Sequence, residues 1–548
     1  MAPSHGREHV KIAAIDLGLA EALSHLGHEV LPLHPPDGVH RLAPLLGGFT
    51  PDLIIQQERL GPRAFLADLS HFSCPKVFWS IDTHLNAFWH TTYGRLFDAV
   101  LTTQKSWVEH LQRAHPHVRW LPWPGTPRPY VAWEKRTTPA LFVGRVGPSR
   151  PVRGWFVELC TRIPGFRLET DLPFEAMLDA YAHACIAPNE AILGEINFRL
   201  LEAASCGCAV LTPRVPGVEE LFVPGEEVLL YEHGGDFLEM LRDLAASPAK
   251  ARLLGLRAYA RVQAEHLPEH RARQLLDCLP GQSHAAQGAE ADAAFWCTIA
   301  VLREAERLEI PPERLRRHLL PYADQPEAAA ALLRLEVEAA PDAARATVER
   351  LALTPPQDPV LCGLAALAAL RLKQWEAAAK LHAAAHVPAP HKPTQAVTLL
   401  AWATYWEAHG RPCRPGFVFA PKRHLPASAL EAIILAHELF PEDPEPPRRL
   451  AELLAPWRGY EALRLGALSF LGLRAPDDWR LALDIAGTNA RAFRLQEAAE
   501  ELALAADTAR RHGALEEFMR ALNAADPSGA LARLLPCTKE AAAATESA

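Results

Sequence analysis

The sequence predicts two doubly wound α/β domains in series, followed by an all-α helical domain. Short apolar runs alternate with helical stretches in two successive series, and a polar, proline-bearing segment separates them. The remainder of the chain is rich in Ala and Leu and shows no convincing strand series. Such alternation is typical of parallel sheets with helices on both faces. We therefore expect domains at 1–125 and 126–280, a linker at 281–294 and a helical domain at 295–548.

Length and composition narrow the class of protein. A chain of 548 residues is too long for one core. Its 56 basic and 65 acidic residues give a net charge of −9, which argues against a nucleic-acid binder that relies on bulk electrostatics. No apolar run approaches the ~18 residues of a membrane span, and the first residues lack the apolar segment of a secretory signal. The ten cysteines form no C-x-x-C pair, so we expect a reducing, cytoplasmic compartment.

The two strand series predict Rossmann-like domains. Between the first two strands lies a helix closed by Gly27, which makes a βαβ unit. Two such sheets joined by a short hinge predict a ligand cleft at the carboxyl ends of their strands. The expected strands of the first series are 10–16, 29–34, 52–57, 76–82, 99–104 and 118–122. Those of the second are 140–146, 166–170, 184–188, 209–212 and 227–231, with helices over roughly 235–279.

A predicted helix after the third strand of the second series carries charges in phase. Glu195, Arg199, Glu202 and Cys206 fall on one face at spacings of 4, 3 and 4. The guanidinium can meet a diphosphate and a carboxylate can accept hydrogen bonds from ribose hydroxyls, so the pattern suits a sugar nucleotide. The alternative is a solvated helix face with weak Glu–Arg–Glu pairs.

The candidate base on the acceptor side lies in the first domain. Asp82 and His84 follow a predicted strand, at the cleft end of its sheet. A general base takes a proton from a reacting group, and histidine is suited to this role because it titrates near neutral pH. The alternative is that Asp82 caps the next helix and His84 packs beside Trp79 and Trp89.

Metal sites and cofactors are not expected. The sequence HLPEH at 266–270 superficially matches a zinc-protease helix, but its acid is misplaced and Pro268 interrupts the helix. No D-x-D pair stands at a strand end, where a nucleotide-bound metal would lie. Side chains and helix dipoles would therefore act in place of a metal ion. The expected ligand is a nucleotide-diphosphate sugar, as a substrate.

The segment 195–231, together with FVGRVGPSR and the residues WSIDTH at 79–84, resembles the GT-B glycosyltransferases. The closest resemblance is to the spore-maturation-protein type, which is like glycosyltransferase families 1 and 4. It covers roughly residues 10–280. The shared pattern N-x-R-x-x-E-x-x-x-C-G, followed by a Gly-Glu-Glu loop, corresponds here to Asn197, Arg199, Glu202, Cys206, Gly207 and 225–227.

The resemblance implies roles for the donor-side residues. Glu202 would hydrogen-bond the donor ribose, and Arg199 and Arg145 would neutralise the diphosphate. The backbone at Gly144 would approach phosphate oxygens. Asn197 belongs to the motif and is assigned to donor binding with them.

One position departs from the family pattern. Many retaining members carry a second glutamate eight positions before the ribose-binding one, where this chain has Gly194. Glu195, one residue later, would contact the donor sugar. The shift leaves open whether transfer retains or inverts the anomeric configuration.

The carboxyl-terminal region predicts irregular helical hairpins. Ala366, Ala378 and Ala385 fall at tetratricopeptide-like offsets, with Trp375 where a large aromatic residue is frequent. Solenoids of this kind bind a peptide, a protein or a copy of themselves. A plain helical bundle is the alternative.

These observations predict a metal-independent glycosyltransferase that moves a sugar from a nucleotide-sugar donor to an acceptor. The helical domain would recruit a protein acceptor or partner, as in protein glycosylation. Two alternatives stay open: a sugar-nucleotide epimerase of the same fold, and a non-catalytic helical-repeat scaffold with a decayed transferase domain.

Overall fold

The structure, a computed structural model, describes residues 9–59, 61, 63–388, 396–526 and 528–535. The chain forms two compact units, and each unit combines two separate segments of sequence. The first unit comprises Met1–Trp123 and Pro268–Pro446, and the second comprises Pro124–Leu267 and Pro447–Ala548. Both units thus contain an α/β segment and a helical segment.

The α/β segment of the first unit contains a parallel sheet in the order β2–β1–β4–β6–β7–β8, while β3 pairs with β5. Val77, Phe78 and Trp79 in β6 are all buried, as expected for a parallel strand covered on both faces. The strands are β1 Lys11–Ile15, β2 Glu29–Leu33, β3 Gly38–His40, β4 Leu53–Gln57, β5 Ala64–Leu66, β6 Lys76–Ser80, β7 Ala99–Thr102 and β8 Val118–Trp120. The helices are α1 Ala20–His25, α2 Leu42–Leu45, α3 Thr83–Tyr93 and α4 Val108–Gln112.

The α/β segment of the second unit contains a parallel sheet in the order β10–β9–β11–β12–β13. Ile186 of β11 is paired with Ala140 of β9, so the two strands run side by side. The strands are β9 Thr138–Val143, β10 Phe166–Glu169, β11 Ala184–Pro188, β12 Ala209–Pro213 and β13 Val228–Tyr231. The helices are α5 Pro151–Cys160, α6 Phe174–Ala182, α7 Phe198–Ser205, α8 Val218–Leu221, α9 Gly234–Ala246 and α10 Pro248–Glu265.

The helices after residue 267 complete the first unit. These helices are α11 Pro268–Asp277, α12 Gly288–Glu304, α13 Pro312–Leu319, α14 Pro326–Ala339, α15 Pro341–Leu353, α16 Pro359–Arg371, α17 Trp375–Ala384, α18 Ala396–Ala408 and α19 Ala429–Leu439. Phe295, Leu302 and Leu332 lie in the same buried cluster as Ile15 of β1 and Phe97. The apolar faces of α12 and α14 therefore belong to the core of the sheet.

The last helices complete the second unit. Phe493 and Leu495 lie in one buried cluster with Phe142, Phe156 and Tyr231 of the α/β segment. The helix α20 Glu445–Leu454 begins where the two segments of the chain divide. The helices that follow are α21 Glu461–Gly472, α22 Trp479–Arg491, α23 Leu495–Arg511 and α24 Leu515–Ala525.

The predicted strands agree with the structure, whereas the predicted helical domain requires correction. Each of the eleven expected strand segments overlaps a strand of the two large sheets. The helices of 295–548, however, divide between both units, because their apolar faces cover the sheet segments as well as one another. The expected linker at 281–294 also ends early, since α12 begins at Gly288. The tetratricopeptide-like repeat stays a prediction. No helix within the described residues has the length and apolarity of a membrane span.

Candidate functional site

Most of the predicted donor residues lie at the carboxyl edge of the second unit's sheet. Strands β9 and β11 are neighbours and parallel, so their last residues lie at the same edge. Gly144 follows β9, and Asn189 and Glu190 follow β11. The helix α7 starts after Asn197 and carries Arg199 and Glu202. This edge is where open α/β sheets bind ligands.

Arg199 connects the ends of the two strands. Its Nε donates to the carbonyl of Val143 at 2.9 Å, and its Nη1 donates to Oδ1 of Asn189 at 2.7 Å. A weaker bond joins Nη1 to the carbonyl of Glu190 at 3.4 Å. The guanidinium carbon lies 4.1 Å from the ring centroid of Phe142, a cation–π contact. Most of the donors of Arg199 are thus engaged with protein, which makes it a residue that positions the site.

Gly144 leaves room for the Arg199 guanidinium. A Cβ atom at this position would lie 2.8 Å from Nη2 of Arg199 and 3.1 Å from the ring of Phe142. Any larger residue would therefore displace the guanidinium or the ring. The glycine's own N–H donates to the carbonyl of Glu169 at 3.0 Å, so it is used within the sheet.

Glu202 is the most unusual carboxyl group of this edge. It lies in the second turn of α7 and is largely enclosed by protein. Burial raises the pKa of Glu202 to about 7, although the nearby Arg199 acts in the opposite direction. No side-chain hydrogen bond or ion pair to Glu202 occurs among the residues that the structure describes. An enclosed carboxyl group without such a partner suits an external hydrogen-bond donor.

Asn197 offers a second acceptor beside the first turn of α7. It occupies the N-cap position, and its Nδ2 donates to the carbonyl of Glu190 at 2.8 Å. Its Oδ1 is buried and has no hydrogen-bond partner in the described part of the chain. Buried polar atoms are usually paired, so an unpaired acceptor here is consistent with a ligand position.

Glu195 lies outside the helix on which the sequence predicted it. Because α7 begins only at Phe198, Glu195 does not share a helical face with Arg199. Its two carboxylate oxygens accept from the backbone N–H groups of Ile192 at 2.9 Å and Leu193 at 2.7 Å. The side chain is 5% exposed and stabilises the loop that precedes the helix. Its contact with a donor sugar stays a prediction.

The sequence predicted Arg145 as the cation of the loop between β9 and α5, whereas the structure also brings Arg150 to the start of α5. Arg145 is exposed and pairs with Asp171 at 2.7 Å, so the structure does not bring it to Arg199. Arg150 occupies the N-cap position of α5. Burial, followed by the nearby Arg153, lowers the pKa of Arg150. Within the described residues no carboxylate lies within ion-pair distance of Arg150.

The sequence interpretation missed Arg150 and a buried ion pair beside it. Arg153 of α5 donates from Nε to Oε2 of Glu190 at 2.7 Å, and both side chains are buried. Burial raises the pKa of Glu190, with a further contribution from Glu195, while Arg153 lowers it. Two signals were available: Asn189 and Glu190 directly follow a predicted strand, and two arginines follow Gly144 at the start of a helix.

The helical segment of the second unit packs against the loop between β11 and α7, which contains Ile192. Arg458 lies between α20 and α21, and its Nη2 donates to the carbonyl of Glu232 at 2.8 Å. Gly459 has a φ of +86°, and a Cβ atom there would lie 2.0 Å from the carbonyl oxygen of Ile192. The backbone of the helical segment therefore touches the loop that Glu195 stabilises.

We expect Gly459→Ala to destabilise the second unit by about 2–4 kcal/mol, because the new Cβ overlaps Ile192 and the backbone is left-handed. The matched control is Gly466→Ala. Gly466 lies inside α21, nothing lies within 4 Å of its added Cβ, and we expect a gain of about 0.5–1 kcal/mol. Urea denaturation checks both values. Equal stabilities of the two variants would contradict the close contact at Gly459.

The first unit contains the predicted acceptor-side residues. Asp82 occupies the N-cap position of α3, but its side chain makes no capping hydrogen bond. His84 is 4% exposed, and its Nδ1 has no hydrogen-bond partner among the described residues. The structure thus places both residues at the start of α3, directly after β6.

A buried carboxylate that the sequence interpretation missed orients this turn. Glu58 follows β4, and its Oε2 accepts from the backbone N–H groups of Ile81 at 2.9 Å and Asp82 at 2.8 Å. Its Oε1 accepts from Nδ2 of Asn86 at 2.7 Å and lies 3.3 Å from Nε2 of His90. Burial alone would raise the pKa of Glu58. The nearby His90 and the backbone hydrogen bond from Asp82 lower it by more, so the net pKa shift is downward.

Residues of metal-ligating type do not cluster in the described part of the chain. No group of three or more His, Cys, Asp or Glu side chains there has an arrangement that would hold a metal ion. In the HLPEH segment, Nε2 of His266 approaches the carbonyl of Leu221 at 2.8 Å. That histidine therefore packs against the end of α8.

The comparisons with known proteins concern part of the chain. Residues 132–277 match a family described as glycosyl transferase-like. No curated protein matches the chain. A similar solved structure is sucrose-phosphate synthase from Thermosynechococcus elongatus, with 15% identity over 49% of this chain and 98% of that chain, and a TM-score of 0.37.

Two further structures have comparable similarity. A glycosyltransferase from Rickettsia africae ESF-5 has 11% identity over 50% of this chain and 100% of that chain, with a TM-score of 0.38. Anabaena HepE, solved in complex with UDP-glucose, has 14% identity over 50% of this chain and 99% of that chain, with a TM-score of 0.34. The glycosyl transferase-like match contains every residue that the sequence predicted for donor binding.

Proposed function

We propose that this protein transfers a sugar from a nucleotide-diphosphate sugar, bound at the edge formed by β9, β11 and α7. The observation that carries the proposal is Glu202, whose enclosed carboxyl group has no side-chain hydrogen bond or ion pair among the described residues. A carboxylate can accept two hydrogen bonds, which matches the two hydroxyl donors of a ribose. The glycosyl transferase-like match of residues 132–277 supports this assignment.

The diphosphate would be bound by Arg150 and by the backbone at the start of α5. Arg150 has no carboxylate within ion-pair distance in the described residues, so its charge lacks the compensation that a direct ion pair gives. A phosphate group would supply that compensation. Arg199 would hold Asn189 and the β9 end in place, and Arg145 would act from the exposed side of the loop. Guanidinium groups would thus neutralise the leaving group without a metal ion.

The other residues predicted from the sequence are proposed to act on the acceptor and the donor. Asp82 and His84 are the proposed base for the acceptor, supported by the unpaired Nδ1 of His84. Glu195 and Asn197 are proposed to contact the donor, and the helical segments to recruit a protein acceptor. The free cysteines of the described chain support a reducing, cytoplasmic compartment.

We expect a nucleotide-diphosphate sugar to stabilise the wild-type protein by about 2.7 kcal/mol at a concentration one hundred times its Kd. The probes are uridine, guanosine and thymidine diphosphate sugars, and calorimetric titration gives the Kd. Arg150→Gln should weaken binding at least tenfold, because it removes a charge-assisted hydrogen bond worth about 1.5–3 kcal/mol. The matched control is Arg167→Gln on β10, where the side chain is exposed and pairs with Glu169 at 2.8 Å.

The same titration distinguishes the alternatives. Failure of every probe to bind would favour the scaffold with a decayed transferase domain. A bound donor that changes its sugar configuration in the absence of an acceptor would favour the epimerase. Equal loss of affinity in Arg150→Gln and Arg167→Gln would contradict the assignment of Arg150.

A further inference from the structure

A second candidate site lies within the first unit, where the α/β and helical segments enclose a cavity of about 610 Å³. Its walls come from α3, α4, α12, α14 and the segment after α18. Cavities of this size accommodate small organic ligands. Phe88 and Trp107 provide apolar surface, and several charged side chains also line the cavity.

Most of the cations that line the cavity have a carboxylate partner. Arg303 pairs with Glu338 at 2.8 Å, and Arg414 pairs with Glu431 at 2.6 Å. Arg95 and Arg334 likewise form short ion pairs with Glu327 and Glu304. These four guanidinium groups are therefore neutralised within the protein.

Arg113 and Arg411 differ from these four. In the described part of the chain, neither has a carboxylate within ion-pair distance. Nη1 of Arg113 donates to the carbonyl of Gly410 at 3.2 Å, which brings the two arginines to the same side of the cavity. Partial desolvation, followed by Arg414 and Arg334, lowers the pKa of Arg411. The lining carboxylates Asp358 and Glu327 act in the opposite direction. The charge of Arg411 is thus only partly compensated.

The pKa of His110 is also affected by the positive charge of Arg113 and Arg411. His110 lines the cavity near both arginines. Burial, followed by Arg113 and Arg411, lowers the pKa of His110 to about 4. The imidazole is therefore neutral at physiological pH and can donate one hydrogen bond. Two guanidinium groups without an ion-pair partner in the described residues and one neutral donor match a doubly charged anion.

We propose that this cavity binds a small organic phosphate monoester, with its phosphate between Arg113 and Arg411. A phosphate monoester carries a charge of about −1.5 to −2 at neutral pH, which balances the two arginines. Guanidinium groups bind phosphate oxygens in a bidentate manner. The organic part would lie against Phe88 and Trp107. This site belongs to the first unit and is separate from the proposed donor edge of the second unit.

The test is calorimetric titration of the full chain with glucose 6-phosphate, inorganic phosphate and glucose. We expect glucose 6-phosphate to bind more tightly than inorganic phosphate, and glucose not to bind. Arg411→Gln and Arg113→Gln should each weaken binding of glucose 6-phosphate at least tenfold, because each loses a charge-assisted hydrogen bond. The control is Arg317→Gln, an exposed arginine of α13 outside the cavity.

The proposal would be overturned if neither glucose 6-phosphate nor inorganic phosphate binds to the wild-type protein. A tenfold loss in Arg317→Gln, or unchanged binding in both cavity variants, would overturn it as well. Because a phosphate could also bind at Arg150, the titration is repeated with Arg150→Gln, which should retain glucose 6-phosphate binding. Loss in Arg150→Gln alone would assign the bound phosphate to the second unit and reject the cavity.

Discussion

We expect that replacing Glu202 with Gln will raise the free energy of unfolding at pH 8 and change it much less at pH 5. The pKa of Glu202 is about 7 in the folded protein against an ordinary value of 4.5. The folded state therefore keeps a proton that the unfolded state has lost, and stability falls as pH rises from 4.5 to 7. Above pH 7 the cost is constant at about 3 kcal/mol, since each pKa unit corresponds to about 1.4 kcal/mol. A neutral amide avoids this cost.

Urea denaturation at the two pH values measures the effect. The matched control is Glu158→Gln, which removes an exposed carboxylate from α5 in the same unit. That variant should change stability by less than about 0.5 kcal/mol at either pH, as expected for an exposed site. A stability gain of Glu202→Gln that does not grow between pH 5 and pH 8 would contradict the raised pKa.

The same substitution should reduce binding of the donor. A carboxylate accepts from both ribose hydroxyls, whereas an amide has only one oxygen acceptor. We expect at least a tenfold increase in Kd, measured by calorimetry at pH 8. Gain of stability together with loss of binding is the usual signature of a functional group in an unfavourable environment. If stability rises and the Kd is unchanged, Glu202 is only a buried carboxyl and the donor site lies elsewhere.

The pH dependence of donor binding gives an independent check. Only the ionised form of Glu202 accepts from two hydroxyls, so wild-type affinity should rise from pH 5.5 and level off above pH 7, by about thirtyfold in total. An intact nucleotide-diphosphate sugar is the correct probe, since a terminal phosphate monoester itself titrates near pH 6. The dependence should be absent in Glu202→Gln.

The strands, and the position of Arg199 and Glu202 on one helix, could be predicted from sequence because the signals are local. Apolar runs such as 76–82 and 184–188 are long enough for one buried strand, and turn residues bound them. Arg199 and Glu202 lie on one helix, so their spacing places them correctly. Glu195 was misplaced because the helix begins three residues later, after a loop that the carboxylate itself stabilises.

The rest depends on contacts between distant parts of the chain. Apolar faces of α12 and α23 look alike in sequence, but one helix covers the first sheet and the other joins the core of the second unit. Hydrophobic periodicity predicts that one face of a helix is buried, but it does not identify the element that covers this face. Glu58, Arg150 and Gly459 were missed for the same reason, since their roles appear only when separate segments meet.

Phe493→Ala should destabilise the second unit by about 3–5 kcal/mol, the usual cost of removing a buried aromatic ring. Phe493 follows α22 and is 6% exposed. Its ring centroid lies 5.1 Å from that of Phe156 and 5.7 Å from that of Phe237. Phe493 belongs to the helical segment, and its ring packs in the core of the second sheet. Urea denaturation, followed by donor binding, measures the effect.

Two controls separate the loss of this contact from a general effect of substitution. Leu504→Ala removes an exposed side chain from α23 and should cost less than about 0.5 kcal/mol. Phe493→Leu keeps most of the apolar volume and should cost less than Phe493→Ala. If all three variants unfold together with the wild-type protein, the helical segment does not contribute to the core. If Phe493→Ala loses the most stability, Phe493→Leu less and Leu504→Ala least, the residues after 446 contribute to the core that supports the proposed donor edge.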